Sequence, residues 1–292
     1  MTTTVSAGEG VPSAAPSSFA GLTLDRPRLM AVINATPDSF SDGGEAFALA
    51  DALRRGRAFL AEGADILDVG GESTRPGAEP VPVAEEIRRV VPVIEALAAE
   101  GALISIDSRR AEVMRAAVNA GARIINDVSA LRGEGALDTA ADLGVPVILM
   151  HMQGEPGTMQ DNPTYGDVVA EVRDALLDRA HACREAGIAA KDIALDPGIG
   201  FGKTVAHNLA LLAHLDSLTA IGHPVVLGVS RKSYIARIDR DVPPGERIAG
   251  SVATALAAWV RGVRLFRVHD VAEHRQALAV YGAIAEAGGK GS

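Results

Sequence analysis

The chain has 292 residues, 48% hydrophobic and 22% charged, an ordinary globular composition with enough apolar residues to bury a large core. Its formal net charge of −9 argues against nonspecific binding of nucleic acid or anionic membrane, but leaves room for an anionic small ligand in a locally basic cleft. One cysteine, Cys183, rules out a disulfide framework within the chain and suits a reducing cytoplasm, and no apolar run approaches the ~18 residues of a membrane span.

Residues 1–26 are rich in Ser, Thr, Ala, Gly and Pro, with neither a basic start nor an apolar core, and read as a disordered tail rather than a signal peptide. The continuous apolar run 29–33 then reads as a strand buried on both faces. It ends at Asn34 and opens into a turn-prone loop, ATPDSFSDGG, which is longer than the roughly 2–6 residues of an ordinary βα connection. The spacing predicts a helix over 48–62 stopped by Gly63, a strand over 65–70, a helix over 85–100 ended by Gly101, and a strand over 103–106 closed by Asp107. A helix over 109–120 and a strand over 123–125 lead to Asn126 and Asp127. A helix near 135–143 precedes a strand over 146–150 that leads to His151. A long polar loop over 152–163 and a helix over 165–186 follow; Cys183 lies in that helix without a motif that would make it catalytic. The strand 193–195 ends at Asp196, before PGIGFGKT. A helix over 208–218, a strand over 224–229 running into Ser230, Arg231, Lys232 and Ser233, and an Ala-rich helix over 247–261 come next. The last unit is a strand over 263–266 ending in Arg267, Val268, His269 and Asp270, then a helix over 271–287.

These are eight strand-then-helix units without a composition break, which implies parallel pairing through right-handed crossovers. A single α/β domain over 27–288, a (β/α)8 TIM barrel, fits that count and the ~250 residues typical of the fold, with 289–292 as a flexible tail. A doubly wound open sheet is the alternative, but such sheets more often stop at five or six strands.

Active sites of such barrels lie at the C-terminal ends of the strands, and here those ends hold Asn34, Asp107, Asn126, His151, Asp196, Lys232, Arg267 and His269. Helix capping would account for Asn and Asp, but not for Lys, Arg and His, which the positive end of a helix dipole repels. Asp107, Asn126 and Asp196 suit the N–H-rich edge of a heterocycle, whereas Lys232, Arg267 and His269 lie on the seventh and eighth strands, where barrels commonly bind phosphate. The residues 197–204, PGIGFGKT, end like a phosphate-binding P-loop, but Pro197 stands where the first glycine is required; the glycines read as a tight turn that lets backbone approach a ligand. Histidines 181, 207, 214, 223 and 274 read as surface residues rather than metal ligands, and nothing near His151 completes a zinc triad. Lys232 also suits a Schiff base, as in barrel aldolases.

The motifs INATPDSFSDGG, DVGGESTRPGA, SIDSRRAEV, INDVSAL, LDPGIGFGKT, VSRKS and RVHDV occur in one order over residues 29–278. In these the chain resembles the dihydropteroate synthase family, pterin-binding enzymes of folate synthesis; Ala31 and Ala35 replace residues more often seen there as Gly and Val. The resemblance implies transfer of the 7,8-dihydropterin-6-ylmethyl group from its pyrophosphate ester to 4-aminobenzoate, releasing pyrophosphate after early ionisation of the C–O bond. It further implies that Asp107, Asn126 and Asp196 hold the pterin edge with Lys232, that Arg267, His269 and Asn34 hold the pyrophosphate, and that Thr74 binds the pterin pyrophosphate substrate. Asn34 is expected to bind Mg²⁺, whose remaining ligands come from phosphate and water. Asp42 is expected beside the developing cation, with Lys232, Arg267 and His269 as the other catalytic residues. The benzoate is expected among Phe40, Thr74, Arg75, Pro76 and Phe201, with its carboxylate at Ser233 and the helix that follows. The family also implies a cytoplasmic homodimer built on the last helices. A barrel moving methyl groups from methyltetrahydrofolate to a corrinoid would share the fold and the pterin-edge acids but lack RVHDV and SRKS. A catalytically idle paralogue would not need Asn34, Asp42, Arg267 and His269 together.

Overall fold

The structure is a computed structural model and describes residues 16–35, 44–73, 80–155 and 157–289. Eight parallel strands form the sheet: β1 (Arg28–Asn34), β2 (Ile66–Gly70), β3 (Ile104–Asp107), β4 (Ile124–Asp127), β5 (Val147–Met150), β6 (Ile193–Asp196), β7 (Val226–Gly228) and β8 (Leu265–Val268). Their order is β6-β5-β4-β3-β2-β1-β8-β7, and a parallel bridge between Leu195 and Val225 joins the two ends, so the sheet closes into a barrel. Leu195 N donates to Pro224 O at 2.8 Å across that seam. The helices are α1 (Gly44–Glu62), α2 (Val83–Ala99), α3 (Ala111–Asn119), α4 (Ala136–Leu143), α5 (Val168–Glu185), α6 (Val205–Ala213), α7 (Leu215–Thr219), α8 (Ser233–Ile238), α9 (Ile248–Val260) and α10 (Val271–Gly289).

Strand alternation sorts the core into two parts. Leu29, Ala31, Ile33, Leu67, Val69, Ile104, Ile106, Phe266 and Val268 face outward and pack under the helices. Met30, Ile66, Ile124, Ile148, Ala194, Val226 and Leu265 point into the barrel and fill its lower half. Two residues further along, four of these strands carry polar side chains in the same inward phase: Asp68 on β2, Asn126 on β4, Asp196 on β6 and Arg267 on β8. Register sets Asn34, Gly70, Asp107 and Asn126 side by side on four successive strands.

The N-terminal segment departs from the sequence expectation. Residues 1–15 lie outside the described residues, but 16–26 are not a tail: Ser18–Phe19 and Leu22–Thr23 form an antiparallel hairpin. Its turn, Ala20 and Gly21, has φ of 49° and 80°, the left-handed values a two-residue hairpin turn requires. Phe19 and Leu24 join the inward cluster and cap the lower end of the barrel. Arg28 and Asp65 tie the hairpin to the barrel through Thr23 O (2.7 Å), Asp25 (2.9 Å) and a 3.1 Å ion pair between them. Two apolar side chains among small polar residues are too few to produce periodicity, yet they suffice when a preformed apolar floor receives them.

Smaller differences lie downstream. The helix expected over 208–218 begins at Val205, because Thr204 and His207 form a capping box, and it breaks at His214 into α6 and α7. His274 is fully buried, not on the surface: α10 turns it inward, and its Nδ1 sits 2.6 Å from Asp270 O. Cys183 lies on the buried face of α5, and burial raises its thiol to about 11, consistent with an inert core residue.

Candidate active site

Four strand residues from three parts of the chain meet above the apolar floor. Arg267 Nε donates to Asp68 Oδ2 at 2.6 Å and Arg267 Nη2 to Asp107 Oδ2 at 2.7 Å, while Asn126 Nδ2 donates to the same Asp68 oxygen at 3.2 Å. Sequence reading put Arg267 with the anion-binding residues and Asp107 with the heterocycle-binding ones; in the structure they touch. Burial alone would lower the Arg267 pKa, but the Asp68 and Asp107 carboxylates outweigh it and hold the guanidinium above its usual value. Burial raises the Asp107 carboxyl to about 7 against the pull of Arg267, and neighbouring Asp68 adds to the rise. Two carboxyls share one guanidinium, so the second negative charge lacks a full partner and a proton is readily taken.

Asp68 was not among the residues singled out from sequence. It sat in a short strand read only as apolar, ILDVG, and the available signal was its phase: it shares parity with Ile66 and Gly70, on the inward side.

Asp196 forms the opposite wall. Its Oδ1 accepts from Gly198 N at 2.7 Å, and burial raises its pKa against that hydrogen bond and the attraction of Lys232. Lys232 reaches over from the loop after β7, with Nζ 4.2 Å from the centroid of the Phe201 ring. Burial lowers its ammonium to about 8, with Asp196 opposing.

The glycine turn after β6 packs on protein rather than waiting for a ligand. A Cβ on Gly198 would stand 1.9 Å from His151 O, and one on Gly202 would stand 2.4 Å from Gln153 O, so both must be glycine for the loops after β5 and β6 to dock. Lys203, 3% exposed, is buried between them. Its Nζ contacts His151 Nδ1 (3.1 Å), His151 O (3.3 Å), Gly198 O (3.1 Å) and Phe201 O (2.9 Å). His151 is thereby an acceptor for a lysine; burial, then Lys203, lower it to about 3, so its ring is neutral.

Across the mouth, His269 N donates to Ser230 Oγ at 3.2 Å, and His269 Nδ1 lies 3.1 Å from that same oxygen. Burial, then Arg267 and Arg231, lower His269 to about 3, so its ring is neutral. Arg231 holds the adjoining loop in a left-handed turn (φ 60°) by pairing with Asp270, while Ser251 Oγ accepts from its backbone N at 2.8 Å. Ser233 is exposed at the start of α8. Asn34 ends β1 beside Gly70, and among the described residues nothing hydrogen-bonds its side chain. Phe40, Asp42, Thr74, Arg75 and Pro76 lie outside the described residues.

The closed barrel with acids, an amide and cations converging at the C-terminal ends of its strands defines an enzyme site for a polar, partly anionic small molecule. Residues 30–269 match the family described as "Pterin binding enzyme". Dihydropteroate synthase from Escherichia coli K12 is 48% identical over 260 residues, covering 89% of this chain and 92% of that protein. Among solved structures, Xanthomonas albilineans dihydropteroate synthase with 4-aminobenzoic acid is 54% identical, with a TM-score of 0.86 over 90% of this chain and 95% of that one. The same enzyme in complex with 7,8-dihydropteroate gives 51% identity and a TM-score of 0.83, with the same coverage. The chain belongs to the pterin-binding enzyme family and, within it, to the dihydropteroate synthases, transferases of folate synthesis.

Proposed function

We propose that the chain transfers the 7,8-dihydropterin-6-ylmethyl group from its pyrophosphate ester to 4-aminobenzoate, with the C–O bond ionising before the amine attacks. The observation that carries this reading is the cluster at the C-terminal ends of the strands: Arg267 bonds Asp107 and, through Asp68, meets Asn126, while Lys232 over Phe201 and His269 beside Ser230 stand on the neighbouring loops. The acids and the amide match ring N–H and amino donors, each of which would cost about 1–3 kcal/mol if buried unpaired. Arg267 and His269 receive the pyrophosphate as it departs, and Lys232 lies against the pterin and the Phe201 wall. Preorganised charge at both ends of the breaking bond is the main contribution, worth several kcal/mol. Asp42 faces the developing cation. Thr74 serves both substrates, and Phe40, Arg75, Pro76, Phe201 and Ser233 hold the benzoate. The aromatic amine is neutral at pH 7 and attacks without prior deprotonation.

Asn34 fits Mg²⁺, because its amide oxygen, which has no hydrogen bond among the described residues, is the kind of hard ligand that ion takes when phosphate and water supply the rest. Bound there, Mg²⁺ would neutralise charge on the leaving pyrophosphate. The exposed apolar side chains Val260 (63%), Val280 (56%) and Ile284 (64%), next to the Trp259–Tyr281 pair at 5.3 Å, suit a homodimer on α9 and α10. A single buried cysteine suits a cytoplasmic location, and among the described residues no helix is long and apolar enough to cross a membrane.

The test is pyrophosphate release from the pterin ester, measured with and without 4-aminobenzoate. Release that requires the ester and yields dihydropteroate only with 4-aminobenzoate supports the reading. Ionisation first further expects slow release without the amine, with water as the trap; complete dependence on the amine would favour concerted displacement.

A further inference from the structure

We propose that Asp68 is a positioning residue for Arg267: it tethers the guanidinium at Nε and balances its charge, so that the arginine engages the leaving pyrophosphate in one geometry. This rests on the reading of Arg267 as a pyrophosphate residue.

Asp68 is 0% exposed and inward-facing, paired in register with Val32 on one side and Ser105 on the other. A carboxylate there is costly: burying an ion in low dielectric costs several kcal/mol, and an apolar residue would fill the same space without it. Its neighbours on the inward face of the floor, Met30, Ile66 and Ile124, are apolar, so packing does not call for an acid. The carboxylate instead binds two side chains distant in sequence, Arg267 and Asn126, through one oxygen.

The geometry of the guanidinium gives the tether its meaning. Nε is fixed on Asp68 and one Nη2 hydrogen on Asp107, which leaves three of the five N–H groups for other partners. Two anchor points on a planar group define its plane; one would leave it free to rotate about the remaining bond. Asp107 is itself proposed to bind a pterin N–H, so its hold on Arg267 changes as substrate arrives. Asp68 lies below the layer of Asn34, Gly70 and Asp107, and holds Nε through a contact that Asp107 does not share.

Asp68 Oδ1 and Ser105 Oγ, neighbours in register, are both buried without a hydrogen-bond partner among the described residues. The carboxylate is therefore held at one oxygen only, and its position depends on Arg267 as much as the reverse.

A tether and a structural support make different predictions. Asp68→Asn keeps the shape and an acceptor, but removes a negative charge beside Arg267. Catalysis should fall roughly 100-fold, the scale of a misplacement near 1 Å. Inorganic pyrophosphate with Mg²⁺ should bind roughly fivefold tighter, because an anion that competed for the guanidinium is gone. A structural support would lose both together.

The experiment measures kcat with the natural substrates and inorganic pyrophosphate affinity by calorimetry, in wild type, Asp68→Asn, Arg267→Ala and the double variant, with melting curves to show folding. Should Asp68→Asn fail to fold, Asp68→Ser replaces it. The expected result is a lower kcat with unweakened pyrophosphate binding in the single variant, and no further loss of kcat from Asp68→Asn once Arg267 is gone. The inference is overturned if pyrophosphate binding falls with kcat, if kcat is unchanged, or if Asp68→Asn has its full effect in the Arg267→Ala background. A pyrophosphate affinity and kcat unaffected by Arg267→Ala would instead overturn the pyrophosphate reading itself.

Discussion

Lys203 Nζ lies 3.1 Å from His151 Nδ1 and within 3.3 Å of three backbone carbonyls, so a single buried amine joins the loop after β5 to the loop after β6. One of those carbonyls belongs to Phe201, whose ring supports Lys232. Lys203→Met keeps the stem and removes the donors. The KM for 4-aminobenzoate should rise about tenfold with the pterin KM little changed, since Phe201 is the proposed benzoate wall; steady-state kinetics in both substrates checks this. Equal effects on both substrates would mean that the clamp supports the whole mouth.

The same variant carries a pH signature. Burial lowers Lys203 to about 7 from its usual 10.5. Between those values the unfolded chain holds a proton that the folded one has released, so wild-type stability from this group rises as pH goes from 7 toward 10.5. Lys203→Met has no such term. Denaturant midpoints at pH 7 and pH 9.5 should move further apart, in favour of the alkaline value, in wild type than in the variant.

His269 works in the same sense at lower pH. Its folded pKa is depressed to about 3 from 6.5, so its contribution is complete above 6.5 and is lost as pH falls toward 3. His151, also about 3, behaves alike, while Asp107 and Asp127, raised by burial to about 7 and 6, oppose them. The difference between His269→Gln and wild type isolates one group: the variant should lose less stability between pH 7 and pH 5. An identical loss would mean that His269 titrates normally.

Phe19→Ala should destabilise the protein by about 3–5 kcal/mol, the usual range for truncating a buried aromatic. In a chain of this size that lowers the melting temperature by roughly 10 °C. A change below 1 °C would show that the hairpin does not hold the barrel floor.

Ile284→Asp should convert the proposed homodimer to monomer in sedimentation velocity, because it sets a charge in the middle of the exposed apolar face of α10. A wild-type profile in the variant would move the interface elsewhere.

The barrel was legible from sequence because its evidence is repetitive: eight apolar runs, each ended by a polar residue and followed by helical periodicity. The polar strand ends were legible for the same reason, since Asp107, Asn126 and Asp196 stand where strands stop. Asp68 was not, because an acid two residues before a strand's end is recognised only once the inward phase of that strand is known. Nor was the pairing of Arg267 with Asp107, 160 residues away, since side-chain reach across a barrel leaves no local trace. The hairpin went unseen for want of length, and the burial of His274 because one residue on an amphipathic helix has no periodicity of its own.

The filled floor has a consequence for traffic. Met30, Ile66, Ile124 and their neighbours pack the lower half of the barrel, with Phe19 and Leu24 against them, so a small molecule reaches Asp107 and Asn126 from the C-terminal mouth. Whatever binds deepest, against Asp107 and Asn126, must arrive first and depart last. On the proposed reading the heterocycle is that deepest guest, so 4-aminobenzoate can only follow it in, and pyrophosphate must vacate the threshold before the joined product can pass. A dead-end passage thus imposes an itinerary on the two substrates.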